Sequence, residues 1–237
     1  MDRPNRANPR QRAQRAVQQQ LRERIHILAA VSHDLKTPLT RLKLRTNALP
    51  EGPLRERFEA DLDAMDALVN EGLEYARSAQ LREPRIPLNL TGLLESMVEQ
   101  AADLGADCRF TPTEGALTVN AAPRALTRLV QNLVDNALRY GGSAEVSAQR
   151  HEGGVLVQVA DRGPGVADAD LERMFEPFVR GEASRGRDAG GTGLGLAIAR
   201  NIAIAHQGRV WLAAREGGGL AACVWLPGGD AAAPSRA

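Results

Sequence analysis

Only two cysteines, Cys108 and Cys223, occur in the chain, far apart and with no histidine cluster beside either. Neither a disulfide framework nor a zinc site is therefore indicated, and a reducing compartment fits. A run of about 18 apolar residues is also missing, and the arginine-rich start lacks the apolar stretch of a secretion signal. The expectation is a soluble, cytoplasmic chain. Charge of one sign is lacking too: thirty Lys and Arg stand against twenty-nine Asp and Glu, for a net charge of +1. That balance points to neither a nucleic-acid partner nor an anionic membrane. The local exception is residues 1–24, where seven arginines face only Asp2 and Glu23. A solvated helix face is the preferred reading, and a basic tail following a membrane segment outside this chain is the alternative.

What is present suits two modest domains: 237 residues with 43% hydrophobic content. Leu21, Ile25, Leu28, Leu35, Leu39, Leu42 and Leu49 fall on a 4-3 heptad register, with Ser32 and Thr46 at the two remaining seam positions. Pro50, Glu51, Gly52 and Pro53 break this helix, and Leu54, Phe58, Leu62, Met65, Leu68, Leu73 and Tyr75 resume a helical stripe to about residue 79. An α-helical hairpin buries too little surface alone, whereas two hairpins about a two-fold axis make a four-helix bundle, so a homodimer is expected. The segment 81–87, with Pro84 and Pro87, reads as a linker. Beyond it, Leu90 to Leu104 and Ala125 to Tyr140 pattern as helices, while Ala144 to Arg150, Val155 to Ala160, Arg209 to Ala213 and Leu220 to Leu226 pattern as strands. Helices with strands clustered late predict an α+β two-layer sandwich over residues 88–228. Residues 1–20 form a basic helical extension, and 229–237 a tail expected to be disordered.

His33 follows the seam position Ser32, so it should lie about 100° further round the helix, at the bundle's flank rather than in its dry centre. Pro38 lacks an NH and crowds the carbonyl of Asp34, so a kink is expected within a turn of His33. Neutral imidazole, with an unperturbed pKa of about 6.5, can attack phosphorus near neutrality. Asp34 can orient the ring by reaching around the helix, and Thr37, four residues on, shares its face. A helical histidine without such surroundings is ordinarily a surface or half-buried residue with no role, which is the reading given to His26, His151 and His206.

Four further stretches suggest a nucleotide site. Asn132 and Asn136 stack on one side of a helix whose other side, Leu126, Leu129, Val130, Leu133 and Ala137, is apolar. Two amide oxygens suit magnesium, which keeps much of its water, although such a pair alone is more often a polar helix face. Asp161-Arg162-Gly163-Pro164-Gly165 puts a carboxylate and a tight turn after an alternating strand, where an acceptor can read an amino group. Phe175 to Arg180 leads into a glycine- and arginine-containing stretch, 181–191, that reads as a mobile flap; Phe175 and Phe178 fit an ordinary core equally well. Gly191-Thr192-Gly193-Leu194-Gly195 precedes an apolar helical run, so backbone NH groups at the helix start can hold phosphate. Neither dinucleotide-fold nor P-loop glycine spacing is present.

The string Ser32-His33-Asp34-Leu35-Lys36-Thr37-Pro38-Leu39-Thr40 resembles the phosphoacceptor box of sensor histidine kinases of two-component systems, in particular the osmosensor-like class. The four later stretches, in their order and spacing, resemble the ATPase fold of the same family, shared with gyrase-type ATPases, mutL-type proteins and heat-shock chaperones. The likeness spans roughly residues 25 to 226. It implies a dimerisation and histidine phosphotransfer domain over 21–80 and a catalytic ATP-binding domain over 88–228. It implies that His33 accepts the γ-phosphoryl group of ATP, that Asp34 orients the ring or acts as base, and that Thr37 positions water when a phosphorylated response regulator is dephosphorylated. It makes Asn136 the main magnesium ligand with Asn132 assisting, Asp161 the adenine reader, and Gly163 and Gly165 the base-pocket turn. Arg139 and Tyr140 would flank phosphate and adenine. Gly191, Thr192, Gly193, Leu194 and Gly195 would border the phosphates, with Phe178, Arg180 and the flap closing over them. The implied partner is a response regulator, and any sensing or membrane portion of an inner-membrane sensor lies outside this chain.

Two rival readings stand beside it. A gyrase-like or chaperone-like clamp ATPase resembles its relatives in a water-activating glutamate at the position of Asn132, and an amide cannot act as that base. A catalytically dead dimerisation scaffold is disfavoured by the full set of motif residues.

Overall fold

The computed structural model describes residues 31–32, 34–111, 115–181, 191–215 and 217–228. The chain divides into two compact units, with the boundary after Arg77. The expected basic extension, the first heptad positions, His33, the flap from 182 to 190 and the tail from 229 lie outside the described residues.

The first unit contains helix α1, helical over residues 34–46, and α2, Pro53–Ser78. The helix continues through Pro38. Thr46 Oγ1 donates to the Leu42 carbonyl at 3.0 Å, and the chain turns immediately afterwards. The heptad separates into two edges. Ser32, Leu39 and Thr46 are buried, and Leu39 packs with Leu62 and Val69 of α2. Leu35, Leu42 and Leu49 stay 45%, 46% and 39% exposed, and Leu54, Phe58, Met65 and Leu68 of α2 are likewise open. One hairpin therefore satisfies half of its apolar pattern. Lys43 fixes the pairing of the two helices by reaching Asp63 at 2.9 Å and Asp66 at 3.2 Å, and these bonds hold its ammonium pKa above the usual lysine value.

The second unit is a two-layer α/β sandwich. Its five-stranded sheet runs β2 (Asp107–Thr111), β4 (Ser143–His151), β5 (Gly154–Ala160), β7 (Leu220–Pro227), β6 (Arg209–Ala214). Only β2 and β4 pair in parallel; the other neighbours are antiparallel. A separate two-stranded ladder joins β1 (Ile86–Asn89) to β3 (Thr118–Ala121). Helices α3 (Leu90–Asp103), α4 (Pro123–Gly141) and α5 (Gly195–Ala205) complete the unit. The alternation in β5 buries Val155, Val157 and Val159, and α4 buries Leu126, Leu129, Val130 and Leu133.

Three short strands were not foreseen, and β1 begins at Ile86, inside the stretch read as linker. They are only four or five residues long, too short for their alternation to stand out, and Pro87 of β1 is tolerated because its ladder has only two strands.

The start of α4 has no side-chain cap of its own, since Ala122 holds the cap position. Glu83 supplies one from outside the helix: Oε1 accepts from the Arg124 NH and Oε2 from the Ala125 NH, both at 3.1 Å. A carboxylate at a helix start satisfies orphan donors and meets the positive end of the helix dipole. Glu83→Ala is expected to lower stability by about 1–2 kcal/mol, and Glu83→Gln, which keeps one acceptor without the charge, by roughly half as much, read from denaturant midpoints.

His206 departs from the role-less reading given to it. It is 1% exposed; its Nε2 accepts from the Ala122 NH at 3.0 Å, while Nδ1 lies 2.8 Å from the Ile202 carbonyl. The neutral ring with its proton on Nδ1 thus ties the start of α4 to the end of α5. His151, by contrast, is half-buried, as expected.

Candidate functional site

In the second unit the four motif stretches meet along the polar edge of α4. Asn132 is buried, its neighbours on the apolar stripe drawing that stretch inward, and no described residue accepts a hydrogen bond from its Nδ2. An unpartnered buried amide is costly, so its presence under the start of α5 marks a polar site rather than core. Asn136 is half-buried one turn on, followed by exposed Arg139 and half-buried Tyr140.

The glycine loop runs along this edge. A Cβ built on Gly195 would lie 3.7 Å from Asn132 Oδ1, and one on Gly191 would overlap the Arg139 guanidinium and lie 3.4 Å from Tyr140 Oη. The loop thus runs beside Asn132, Arg139 and Tyr140, in ordinary contact at Gly195 and against the movable Arg139 tip at Gly191. Gly193 has φ +76°, and its Cβ would come within 2.8 Å of the Val179 carbonyl oxygen. That packing joins the loop to the Phe178 segment, where the Phe178 NH donates to the Gly193 carbonyl at 3.0 Å. Phe178 itself is a left-handed residue, φ 66°, and 60% exposed, so its side chain is not the core packing allowed as one reading. Phe175 is buried and takes that place. Arg180 is half-buried. Thr192 Oγ1 accepts from the Leu194 NH at 3.2 Å, and buried Leu194 leads into α5, whose first NH groups carry no side-chain cap. Uncapped donors at a helix start favour an anion.

Asp161 ends β5 and is 6% exposed. Its Oδ1 accepts from the Gly163 NH at 2.7 Å and the Leu220 NH at 3.3 Å, and no described residue donates to Oδ2. One carboxylate oxygen is thus locked and the other left as an acceptor. The turn abuts the end of α4: a Cβ on Gly141 would overlap the Asp161 side chain, and one on Gly163 would lie 2.7 Å from the Tyr140 carbonyl oxygen.

Gly141, Glu145, Arg215 and Gly219 were not singled out from sequence. Arg215 donates to the Asp161 carbonyl at 3.3 Å and to Glu145, which also binds Arg162 at 3.0 Å. Arg215, then Arg162, hold the Glu145 carboxyl below the usual range. No local motif marks these residues; the only local signals that could have pointed toward them are the paired Gly141-Gly142 after α4 and the run Gly217 to Gly219.

In the first unit, Asp34 and Thr37 are exposed and Ser32 is buried. His33 lies outside the described residues, so the geometry joins the nucleotide-site candidates to one another and not to the imidazole.

Comparison with known proteins agrees with this division. Residues 23–80 match the His Kinase A (phospho-acceptor) domain, and residues 121–230 the histidine kinase-, DNA gyrase B- and HSP90-like ATPase family. Sensor histidine kinase GtrS of Pseudomonas aeruginosa is 40% identical over 208 residues, covering 87% of this chain and 42% of that protein. Sensor histidine kinase CpxA of Escherichia coli is 34% identical over 224 residues, covering 90% of this chain and 49% of that protein. The chain thus spans about half the length of the curated relatives it matches. The crystal structure of full-length ShkA in complex with AMPPNP superposes with a TM-score of 0.70 at 29% identity, covering 90% of this chain and 48% of that one. No helix among the described residues is long and apolar enough to cross a membrane. With a phospho-acceptor hairpin followed by a nucleotide-type α/β sandwich, the chain belongs to the sensor histidine kinase family.

Proposed function

We propose that this chain transfers the γ-phosphoryl group of ATP to His33 and passes it to an aspartate of a response regulator. The observation that carries the reading is the convergence of Asn132, Tyr140, the Asp161 turn and the 191–195 loop on one edge of α4. It is supported by the AMPPNP held by the structural neighbour.

The residues suit the nucleotide and its metal. Asn132 and Asn136, one turn apart on α4, each carry a neutral amide oxygen of the hard type magnesium takes, so Asn136 is assigned as main ligand with Asn132 assisting, while the unpartnered Asn132 Nδ2 remains a donor. Bound there, the ion would supply charge neutralisation to the triphosphate. The free Asp161 oxygen accepts from the adenine amino group, with Gly163 and Gly165 shaping the turn beneath the base. Arg139 and Tyr140 flank phosphate and base. Gly191, Thr192, Gly193, Leu194 and Gly195 border the phosphates, with the Leu194 NH held by Thr192 Oγ1, and Phe178 and Arg180 border the entrance.

In the transfer, one imidazole nitrogen of His33 bonds to the γ-phosphorus as the bond to the bridging oxygen breaks and ADP leaves. Asp34 holds or takes the proton on the other nitrogen, and in-line alignment contributes most of the acceleration. Thr37 is assigned to positioning water for dephosphorylation of the regulator. Residues 21–80 form the dimerisation and phosphotransfer domain, 81–87 the link and 88–228 the ATP-binding domain. The open stripe of Leu35, Leu42, Phe58, Met65 and Leu68 supports a homodimer closed as a four-helix bundle. As the cytosolic portion of an inner-membrane sensor, the chain would answer to a segment outside it.

Incubation with magnesium and ATP labelled at either the γ or the α position tests the reading. Acid-labile, alkali-stable label from γ-labelled ATP alone, mapped to the peptide containing His33, is the expected outcome; acid-stable label, or label from the α position, contradicts it.

A further inference from the structure

The assigned base-reading carboxylate is only as selective as its backbone is fixed, and that backbone is held from outside the motif stretches. The Asp161 NH donates to the Leu220 carbonyl at 2.9 Å, and the Asp161 carbonyl accepts from Arg215 at 3.3 Å. Arg215 stands where β6 leaves the sheet, its side chain 25% exposed, and it also binds Glu145 of β4. Its own backbone closes the glycine hairpin, donating to the Gly219 carbonyl at 3.2 Å and accepting from the Gly218 NH at 3.1 Å. Gly219, with φ +105°, then presses on the turn so closely that a Cβ there would overlap the Asp161 carbonyl, while a Cβ on Gly165 would meet the Gly219 carbonyl oxygen at 3.3 Å. The hairpin therefore touches both ends of the Asp161–Gly165 turn, and Arg215 is the side chain that fastens it to the sheet.

We infer that Arg215, anchored by Glu145, is a positioning residue for base selection: it fixes the Asp161 turn and so directs the free carboxylate oxygen toward an amino group at the 6-position of a purine. This rests on the reading of Asp161 given above. Partly exposed ion pairs contribute little to global stability. The effect here is local, because a hydrogen-bonding site discriminates only when its polar group cannot shift to accommodate the wrong partner. Hypoxanthine presents a carbonyl oxygen where adenine presents an amino group, and a fixed carboxylate repels it.

The test uses the whole chain with ADP and inosine diphosphate, neither of which donates a γ-phosphoryl group, with equilibrium binding measured by calorimetry. The parent is expected to favour ADP by about a hundredfold; Arg215→Ala is expected to weaken ADP about tenfold and inosine diphosphate less than about twofold, narrowing the preference. Glu145→Gln, which leaves Arg215 in place but loosens its anchor, is expected to narrow it in the same direction. Equal weakening of both nucleotides would mean general loosening of the unit and would overturn the proposal. An unchanged preference in both variants, with Asp161→Asn alone abolishing it, overturns the brace and leaves the base reading standing. A preference that survives Asp161→Asn removes both.

Discussion

Replacing His33 with glutamine is expected to reduce acid-labile label from γ-labelled ATP to background, a fall of at least about a thousandfold, while nucleotide binding persists. Glutamine is similar in reach and can still hydrogen-bond, but its amide nitrogen has no basic lone pair to attack phosphorus. The companion substitution Asn136→Ala is expected to remove label and magnesium-dependent nucleotide affinity together, because the lost group belongs to the pocket and not to the acceptor. The contrast is informative because the two residues sit in separate compact units. Label retained at normal level in His33→Gln, measured beside intact ATP binding, would place the acceptor elsewhere and end the assignment.

His206→Ala is expected to destabilise the second unit by about 3 kcal/mol, a fall in melting temperature of roughly 5–10 °C. The substitution opens a cavity beneath two helix ends and leaves the Ala122 NH without its present partner, while the Ile202 carbonyl keeps only the His206 backbone NH. A pH signature accompanies it. Burial holds the His206 pKa below the usual 6.5, with Arg85 adding in the same direction and the Ile202 carbonyl and Glu83 opposing. In the unfolded chain the ring takes up a proton near pH 6.5; in the folded chain it resists until lower pH. Between those values the unfolded state binds more protons, so stability is full above the unfolded pKa and declines as pH falls below it, by up to about 1.4 kcal/mol per unit. Denaturant midpoints at pH 7.5 and 5.5 should show a smaller pH dependence in His206→Ala than in the parent. An identical dependence would mean that another group carries it.

Local sequence sufficed where one residue type permits one conformation or one period. The valine alternation of β5 and the apolar stripe of α4 emerge as read, within two residues, whereas α1 stops at Thr46, three residues short of the heptad position Leu49, and α2 begins at Pro53. Among the loop glycines, Gly193 is the one whose left-handed φ and approach to the Val179 carbonyl admit no side chain. The short strands β1, β2 and β3 were not legible, since four or five residues carry too brief an alternation and their pairing is set by neighbours.

By itself, the sequence determined the two-unit plan, the family and the order of the site stretches, because periodicity and motif spacing are carried by residues close together along the chain. Only the tertiary structure decided which half of the heptad is sealed within one hairpin, that His206 is a buried tie and not a bystander, and that Arg215 and Gly219 stand against the Asp161 turn. Those facts depend on contacts between residues in different elements, far apart along the chain, such as Asp161 with Arg215. Long-range contacts leave no local signal, since what they require is satisfied by whichever segment the fold brings alongside.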